Sequence, residues 1–243
     1  MNPRSNPAVL EKTVEGAQQC WSCSATLAAG DHFCAQCGKV QPTRPMTHFE
    51  FFGLRKRLNI DTAKLEKDFY ALSRKLHPDV YARATANEQD WSLQKTSQLN
   101  DAYRTLKDPI ARTQYLLSLE GVQMEEQSKA ATDKARQSGE EKKQVVPPEL
   151  LEEVFELNMQ LQEIKMGERD PETIAQLESA KKRFEQKLDE SSFELKKYWD
   201  AWDSAKDSAA EKQAMDQMVA LLNRRSYIRN LVRDVSAALS EQA

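Results

Sequence analysis

All four cysteines of the chain lie between positions 20 and 37, as two pairs, Cys20-x2-Cys23 and Cys34-x2-Cys37, with ten residues between the pairs. A two-residue gap sets both thiolates of a pair on one turn, and two such turns facing each other give tetrahedral sulfur ligation. Trp21, Leu27 and Phe33 stand out as the large apolar side chains of the segment. A core that small leaves most of the folding free energy to a metal, and structural zinc supplies on the order of 10–16 kcal/mol in comparable peptides. Gly30 and Gly38 suit the tight backbone of such knuckles. Structural zinc on Cys20, Cys23, Cys34 and Cys37 is therefore the expectation. Two disulfides or four unconnected thiols are the bland alternative, and sulfur ligation alone does not separate zinc from rubredoxin-like iron. Redox catalysis fits less well, because its CxxC opens a helix in a βαβ context. A nucleic-acid finger would want flanking basic side chains, and only Lys39 and Arg44 are close.

His77-Pro78-Asp79 forms a second group. Proline at 78 pushes His77 out of helical geometry, so the tripeptide ends a helix and begins a turn. That helix carries Lys64, Lys67, Arg74 and Lys75. An imidazole and a carboxylate on a rigid turn beside a basic face suit an acidic or Arg-bearing groove on a partner. With no nucleophile or second base nearby, His77 reads as a recognition group rather than an acid–base catalyst. The third group is a double stripe. Leu150, Val154, Leu157, Leu161 and Ile164 recur at helical spacing and form a core face, while Leu151, Phe155 and Met159 run at i, i+4, i+8 beside it. The second column either widens the core or makes an exposed apolar patch bordered by Glu152, Glu156 and Glu163.

Helices must position these groups. Thr47 and Glu50 make a capping-box pair opening a short helix over about 47–58. Asp61 can cap a second helix with Leu65, Phe69, Leu72 and Leu76 on one face, ending at His77-Pro78. A polar loop over about 79–90 leads to a third helix bearing Leu99, Ala102, Tyr103 and Leu106. Asp108-Pro109 starts a fourth, ending near Gly121. Residues 122–147 are polar and highly charged and read as a linker. Amphipathic segments over about 149–166, 171–189, 192–206 and 211–240 then close as an antiparallel helical bundle. The expected domains are a disordered tail 1–18, a tetracysteine module and linker 19–45, a helical domain 46–121, the linker 122–147 and the bundle 148–243.

Composition agrees with this and excludes several classes. Of 243 residues, 40% are hydrophobic and 30% charged, with only 7 glycines, a balance that favours helices over sheets. Thirty-five Lys+Arg against 38 Asp+Glu leave a net charge of -3, which argues against a nucleic-acid partner. Apolar runs such as Met218–Leu222 are far too short to span a membrane. Met1–Leu10 shows neither a signal peptide nor an Arg-rich amphipathic transit pattern, so no cellular address is visible.

The stretches His48-Phe49-Glu50-Phe51-Phe52-Gly53-Leu54, Leu76-His77-Pro78-Asp79 and Leu99-Asn100-Asp101-Ala102-Tyr103 resemble the J-domain, in which a helical hairpin displays His-Pro-Asp at its tip. The run Asn100–Pro109, then Arg112 and Tyr115–Gly121, resembles the HscB-type iron–sulfur cluster co-chaperones, and Cys20-Trp21-Ser22-Cys23 to Phe33-Cys34-Ala35-Gln36-Cys37 resembles the extension on many eukaryotic members. The resemblance implies an all-α chain: a J-domain hairpin, a C-terminal three-helix bundle and an N-terminal tetracysteine zinc knuckle. It implies no enzyme activity of its own but stimulation of the ATPase of a DnaK-class heat-shock chaperone through His77, Pro78, Asp79, Lys64, Lys67, Arg74 and Lys75. It implies binding of an IscU-type scaffold, which carries the iron–sulfur cluster, through Leu151, Phe155, Glu156, Glu163 and Tyr227. Glu152 stands where relatives often have an apolar residue and Met159 where an acid is common, two departures from the family pattern. Mitochondrial matrix location follows from the family alone and leaves a cytosolic pool open; a homodimer through the N-terminal module is a further option. The rival readings are a general J-domain co-chaperone for unfolded clients and a zinc-dependent nucleic-acid or redox protein.

Overall fold

A computed structural model describes residues 18–28, 30–122, 146–167 and 170–240. The chain divides into two units, one of Met1–Arg55 with Thr62–Arg104, the other of Lys56–Asp61 with Thr105–Ala243. The architecture is all-α, as expected, apart from two short strands in the cysteine module. Among the described residues no helix is long and apolar enough to cross a membrane.

In the first unit, β1 (Gln18–Gln19) and β2 (Thr26–Leu27) pair antiparallel, Gln18 opposite Leu27 and Gln19 opposite Thr26. A single bridge between Phe33 and Val40 flanks the second cysteine pair. Helix α1 spans only His48–Phe51, shorter than the expected 47–58. Its capping box forms as the sequence predicts, with the Thr47 amide on Glu50 at 2.7 Å and the Glu50 amide on Thr47 at 3.2 Å. Gly53 then takes a left-handed φ of 62°, and the amides of Gly53 and Leu54 bond back to Glu50 and Phe49, closing the helix after one turn. Helix α2 (Thr62–Leu76) and helix α3 (Ala86–Lys107) form the hairpin. Tyr103 of α3 stacks on Phe69 of α2 at 4.0 Å between ring centres, and its hydroxyl donates to Glu66 at 2.9 Å. Helix α3 begins earlier than the expected 79–90 loop allowed. The cause is Thr85: its amide and hydroxyl donate to Glu88, whose own amide donates to Thr85, so the turn is capped there.

The second unit holds helix α4 (Pro109–Leu119), helix α5 (Leu151–Lys165), helix α6 (Pro171–Asp203) and helix α7 (Ser208–Ser240). Asp108 caps α4 through the Ala111 amide at 2.6 Å, with proline at the first helical position as expected, and Gly121 follows it at φ 79°. The expected segments 171–189 and 192–206 are one continuous helix, so among the described residues the bundle has the three helices that the family resemblance implies. Neither Gly nor Pro interrupts residues 189–192, and Ser191 is buried with its hydroxyl on the Leu188 carbonyl. Leu150, Val154, Leu157, Leu161 and Ile164 form the bundle core with Leu177, Ala180, Phe184, Ile228, Leu231 and Val235. Helix α4 docks on this unit through Trp199, whose indole donates to Thr113 at 2.8 Å and whose ring lies 4.6 Å under the Arg112 guanidinium. Asp203 accepts the amides of Leu58 and Asn59 at 3.0 and 2.8 Å. Of the expected tail and linker, residues 1–17 and 123–145 lie outside the described residues.

Candidate functional site

Each CxxC pair sits on a knuckle of the same design. The amide of Ser24 bonds to the Cys20 carbonyl at 2.9 Å and that of Gly38 to the Cys34 carbonyl at 2.8 Å, with Ser24 and Gly38 both at positive φ, 59° and 74°. Glycine meets that requirement at 38 without strain, whereas Ser24 holds it at some cost. The knuckles face each other and bring all four Sγ atoms within 4.8 Å, with Cys20–Cys37 and Cys23–Cys34 each at 3.6 Å. A tetrahedral ion with bonds near 2.3 Å needs sulfur–sulfur distances of about 3.8 Å. The donor set therefore fits a metal ion such as zinc. None of the four is disulfide-bonded. Burial raises the Cys20 thiol, but the Cys23 and Ser22 amides and the Cys37 and Gln41 side chains outweigh it and bring it down to about 6. At Cys23 the Ala25 amide pulls down, yet burial and the crowding sulfurs push it up to about 12. Four thiolates cannot share this space without a cation to compensate them.

The His77-Pro78-Asp79 turn projects from the end of α2 as a 3-10 turn, Pro78–Tyr81. The Asp79 amide donates to His77 Nδ1 at 3.3 Å, and the Asp79 carboxylate lies 3.4 Å from the same nitrogen. Both side chains remain open to solvent, His77 at 54% and Asp79 at 90%. The turn is fixed from behind: Ser92 and Thr96 of α3 both donate to the Leu76 carbonyl, at 2.7 and 2.9 Å, and the Tyr81 hydroxyl donates to the Lys75 carbonyl at 3.2 Å. Of the basic residues, Lys64, Lys67, Arg74 and Lys75 are all exposed. Lys64 pairs with Asp68 at 2.6 Å, and Lys75 lies 5.9 Å over the Phe33 ring.

On α5 the two columns separate as the helical spacing allows. Leu150, Val154 and Leu157 are buried, whereas Leu151, Phe155 and Met159 are 55%, 66% and 50% exposed. The second column is thus a surface patch and not a widened core. Glu152 and Glu156 are exposed beside it, Glu163 is half-buried at its end, and an open groove runs from Glu156, Met159 and Glu163 to Arg183 on α6. Tyr227 stands apart from this column: it is buried at 7% and packs in the bundle core. Sequence reasoning missed Glu88, Trp91 and Lys95, which lie on the face of α3 turned to the cysteine module. Two of the three are charged, and a charged helix position reads as solvent-facing unless its partner is known.

An antiparallel pair of helices that carries an exposed His-Pro-Asp turn, followed by a helical bundle, defines a J-domain protein. Comparison with known proteins agrees. The DnaJ domain matches residues 47–115, and the HSCB C-terminal oligomerisation domain matches residues 146–236. A co-chaperone protein HscB homolog of Shewanella halifaxensis is 33% identical over 151 residues, 62% of this chain and 77% of that protein. The iron-sulfur cluster co-chaperone protein HscB of Mus musculus is 29% identical over 182 residues, 73% of this chain and 71% of the mouse protein. A Vibrio cholerae HscB homolog is 44% identical over 79 residues, a match spanning 46% of that relative. The crystal structure of human HscB shares the fold, with a TM-score of 0.62 over 90% of this chain and 98% of that one, at 24% identity. The chain belongs to the HscB family of J-domain co-chaperones of iron–sulfur cluster assembly.

Proposed function

We propose that this chain binds an IscU-type iron–sulfur scaffold on its bundle, presents it to a DnaK-class heat-shock chaperone through its J-domain, and stimulates that chaperone's ATPase for cluster transfer. The chain itself makes and breaks no covalent bond. The observation that carries this reading is the pairing, on one chain, of an exposed His-Pro-Asp turn with an exposed apolar column rimmed by acids. Leu151 and Phe155 supply apolar area to the scaffold, and Glu156 and Glu163 supply charge that fixes its register. Tyr227 acts from within the core, by holding the packing beneath that helix. His77, Pro78 and Asp79, with Lys64, Lys67, Arg74 and Lys75, meet the chaperone, where a preformed turn lowers the ordering cost of binding. Cys20, Cys23, Cys34 and Cys37 hold structural zinc, which would supply the module's folding free energy, while the iron–sulfur cluster stays on the scaffold. Mitochondrial matrix location is proposed from the mammalian relatives.

Single-turnover ATP hydrolysis by a DnaK-class chaperone, with and without scaffold, tests the proposal. Scaffold and this chain together should stimulate more than additively, and His77→Gln should reduce stimulation by at least about tenfold, the effect of losing one charge-assisted contact. Phe155→Ala should weaken scaffold binding and leave scaffold-free stimulation intact. Stimulation indifferent to the scaffold would instead favour a general J-domain co-chaperone for unfolded clients.

A further inference from the structure

We propose that the four-cysteine module is a metal-dependent clasp on the His77-Pro78-Asp79 loop, with Lys39 and Trp21 as positioning residues that act through Glu88 and Trp91 of α3. The inference rests on the co-chaperone reading above and assigns the module a part in it.

Glu88 is the centre of the argument. Its side chain is 3% exposed, and its two oxygens have different tasks. Oε2 accepts the amide and hydroxyl of Thr85, at 3.1 and 2.8 Å, and so caps the helix that ends the loop begun at His77. Oε1 accepts from Lys39 Nζ at 2.8 Å. Removal of Lys39 leaves a buried carboxylate half-paired at the point where loop becomes helix. Trp91, one turn further along α3, meets Trp21 edge-to-face at 5.5 Å, and Lys39 Nζ lies 5.9 Å over that same Trp21 ring. The other end of the loop is touched as well: Lys75, two residues before His77, lies over Phe33 of the module.

All three module residues are placed by the cysteines. Trp21 lies inside the first knuckle and its indole donates to the Val40 carbonyl at 2.7 Å. Phe33 precedes Cys34. The Lys39 carbonyl accepts the Cys34 amide at 2.9 Å and the Gln41 side chain at 2.8 Å, so the second knuckle sets where Lys39 begins. The module's buried apolar side chains are the cluster of Cys20, Leu27 and Cys34, with Ala25 packed against it, and Val40. A core this small holds its shape only while the sulfurs are held together. Release of the metal frees Lys39, Trp21 and Phe33 together, and the loop loses its support on both sides. His77 and Asp79 keep their chemistry, so affinity for the chaperone falls while the stimulated rate at saturation does not.

The experiment uses the full chain in three forms: zinc-loaded, stripped by chelator under reducing conditions, and reloaded with zinc(II). Amide hydrogen exchange over residues 77–92 and the chain concentration giving half-maximal ATPase stimulation are both read. Stripping should speed exchange at Thr85–Glu88 about tenfold, the scale of one lost bond to a charged group. It should raise the half-maximal concentration by about three- to tenfold and spare the maximal rate, since only the population of the competent loop changes. Lys39→Ala with zinc bound should reproduce both effects, and Lys39→Arg should restore them; an unchanged circular dichroism spectrum shows that Lys39→Ala is folded while Glu88 is half-paired. His77→Gln is the control that separates the two readings. Should His77→Gln leave stimulation intact, the co-chaperone reading fails. Should it abolish stimulation while stripping and Lys39→Ala change neither exchange nor half-maximal concentration, the clasp is overturned.

Discussion

Lys95 lies on α3 with 1% of its surface exposed, and burial together with Arg44 nearby brings its pKa from 10.5 down to about 8. Between those two values the unfolded chain holds a proton that the folded chain has released, so stability rises as pH rises through that window. Below it the ammonium is charged in both states and its desolvation counts against folding. Lys95→Met, similar in volume, should therefore stabilise the protein at pH 7 by about 1–3 kcal/mol, and the gain should shrink to about a quarter near pH 10 and vanish only above 10.5. Urea midpoints of both chains at the two pH values measure this, and equal midpoints at pH 7 would mean that water reaches the ammonium. The contrast with the cysteines and His77 explains what a residue discloses in sequence. Cys20, Cys23, Cys34 and Cys37 are legible because their type and spacing already constitute the chemistry. Lys95 is not, because nothing in a helical lysine says that a neighbouring module covers it.

Several helix starts set by a side chain were legible, but the start of α3 at the Thr85–Glu88 cap was not. Thr47, Asp108 and Asp170 cap the helices that the sequence placed after them. The expected break near 190 is absent, since a polar Ser-Ser pair can be absorbed by the helix when its hydroxyls bond back to Leu188. The exposed column of α5 was undecidable from spacing, because i, i+4, i+8 describes a face without saying what lies against it. Asp170 offers a test at this scale. Its carboxylate accepts the Glu172 and Thr173 amides, both at 2.9 Å, and the Thr173 hydroxyl at 2.7 Å; that hydroxyl, first among them, holds it below the ordinary value of 3.8. A depressed carboxyl stabilises above its unfolded value and ceases to as pH falls through the folded one. Asp170→Asn keeps a neutral cap, so the wild-type advantage in melting temperature at pH 6 should shrink as pH is lowered below 3.8. An advantage that stays constant through that acid range would mean that the carboxylate's charge plays no part in the cap.

The scaffold and chaperone surfaces proposed above would, on one chain, each raise the local concentration of the other's ligand. Joining two binding sites on one chain gives an effective concentration of about a millimolar, so at micromolar protein the proposed ternary complex would gain about 10²- to 10³-fold over the same surfaces on separate chains. That gain is lost when the surfaces are divided, which makes a mixing experiment decisive. On that proposal His77→Gln retains the scaffold surface and lacks the chaperone contact, whereas Leu151→Ala/Phe155→Ala retains the contact and lacks the apolar column. These sites carry 54%, 55% and 66% exposure at His77, Leu151 and Phe155, so the substitutions leave the folded core untouched. If one chain bridges scaffold and chaperone, an equimolar mixture should stimulate no more than the sum of the two variants, far below wild type, in scaffold-dependent ATP turnover. A homodimer joined through the cysteine module makes a different prediction. Half of all dimers would then be mixed, each with one working surface of each kind, and activity would return to a substantial fraction of wild type. The module's docking argues for the first outcome: Trp21 and Lys39 face Trp91 and Glu88 of the same chain, and Phe33 faces Lys75. With those side chains already engaged within the chain, bridging in cis is the expected result.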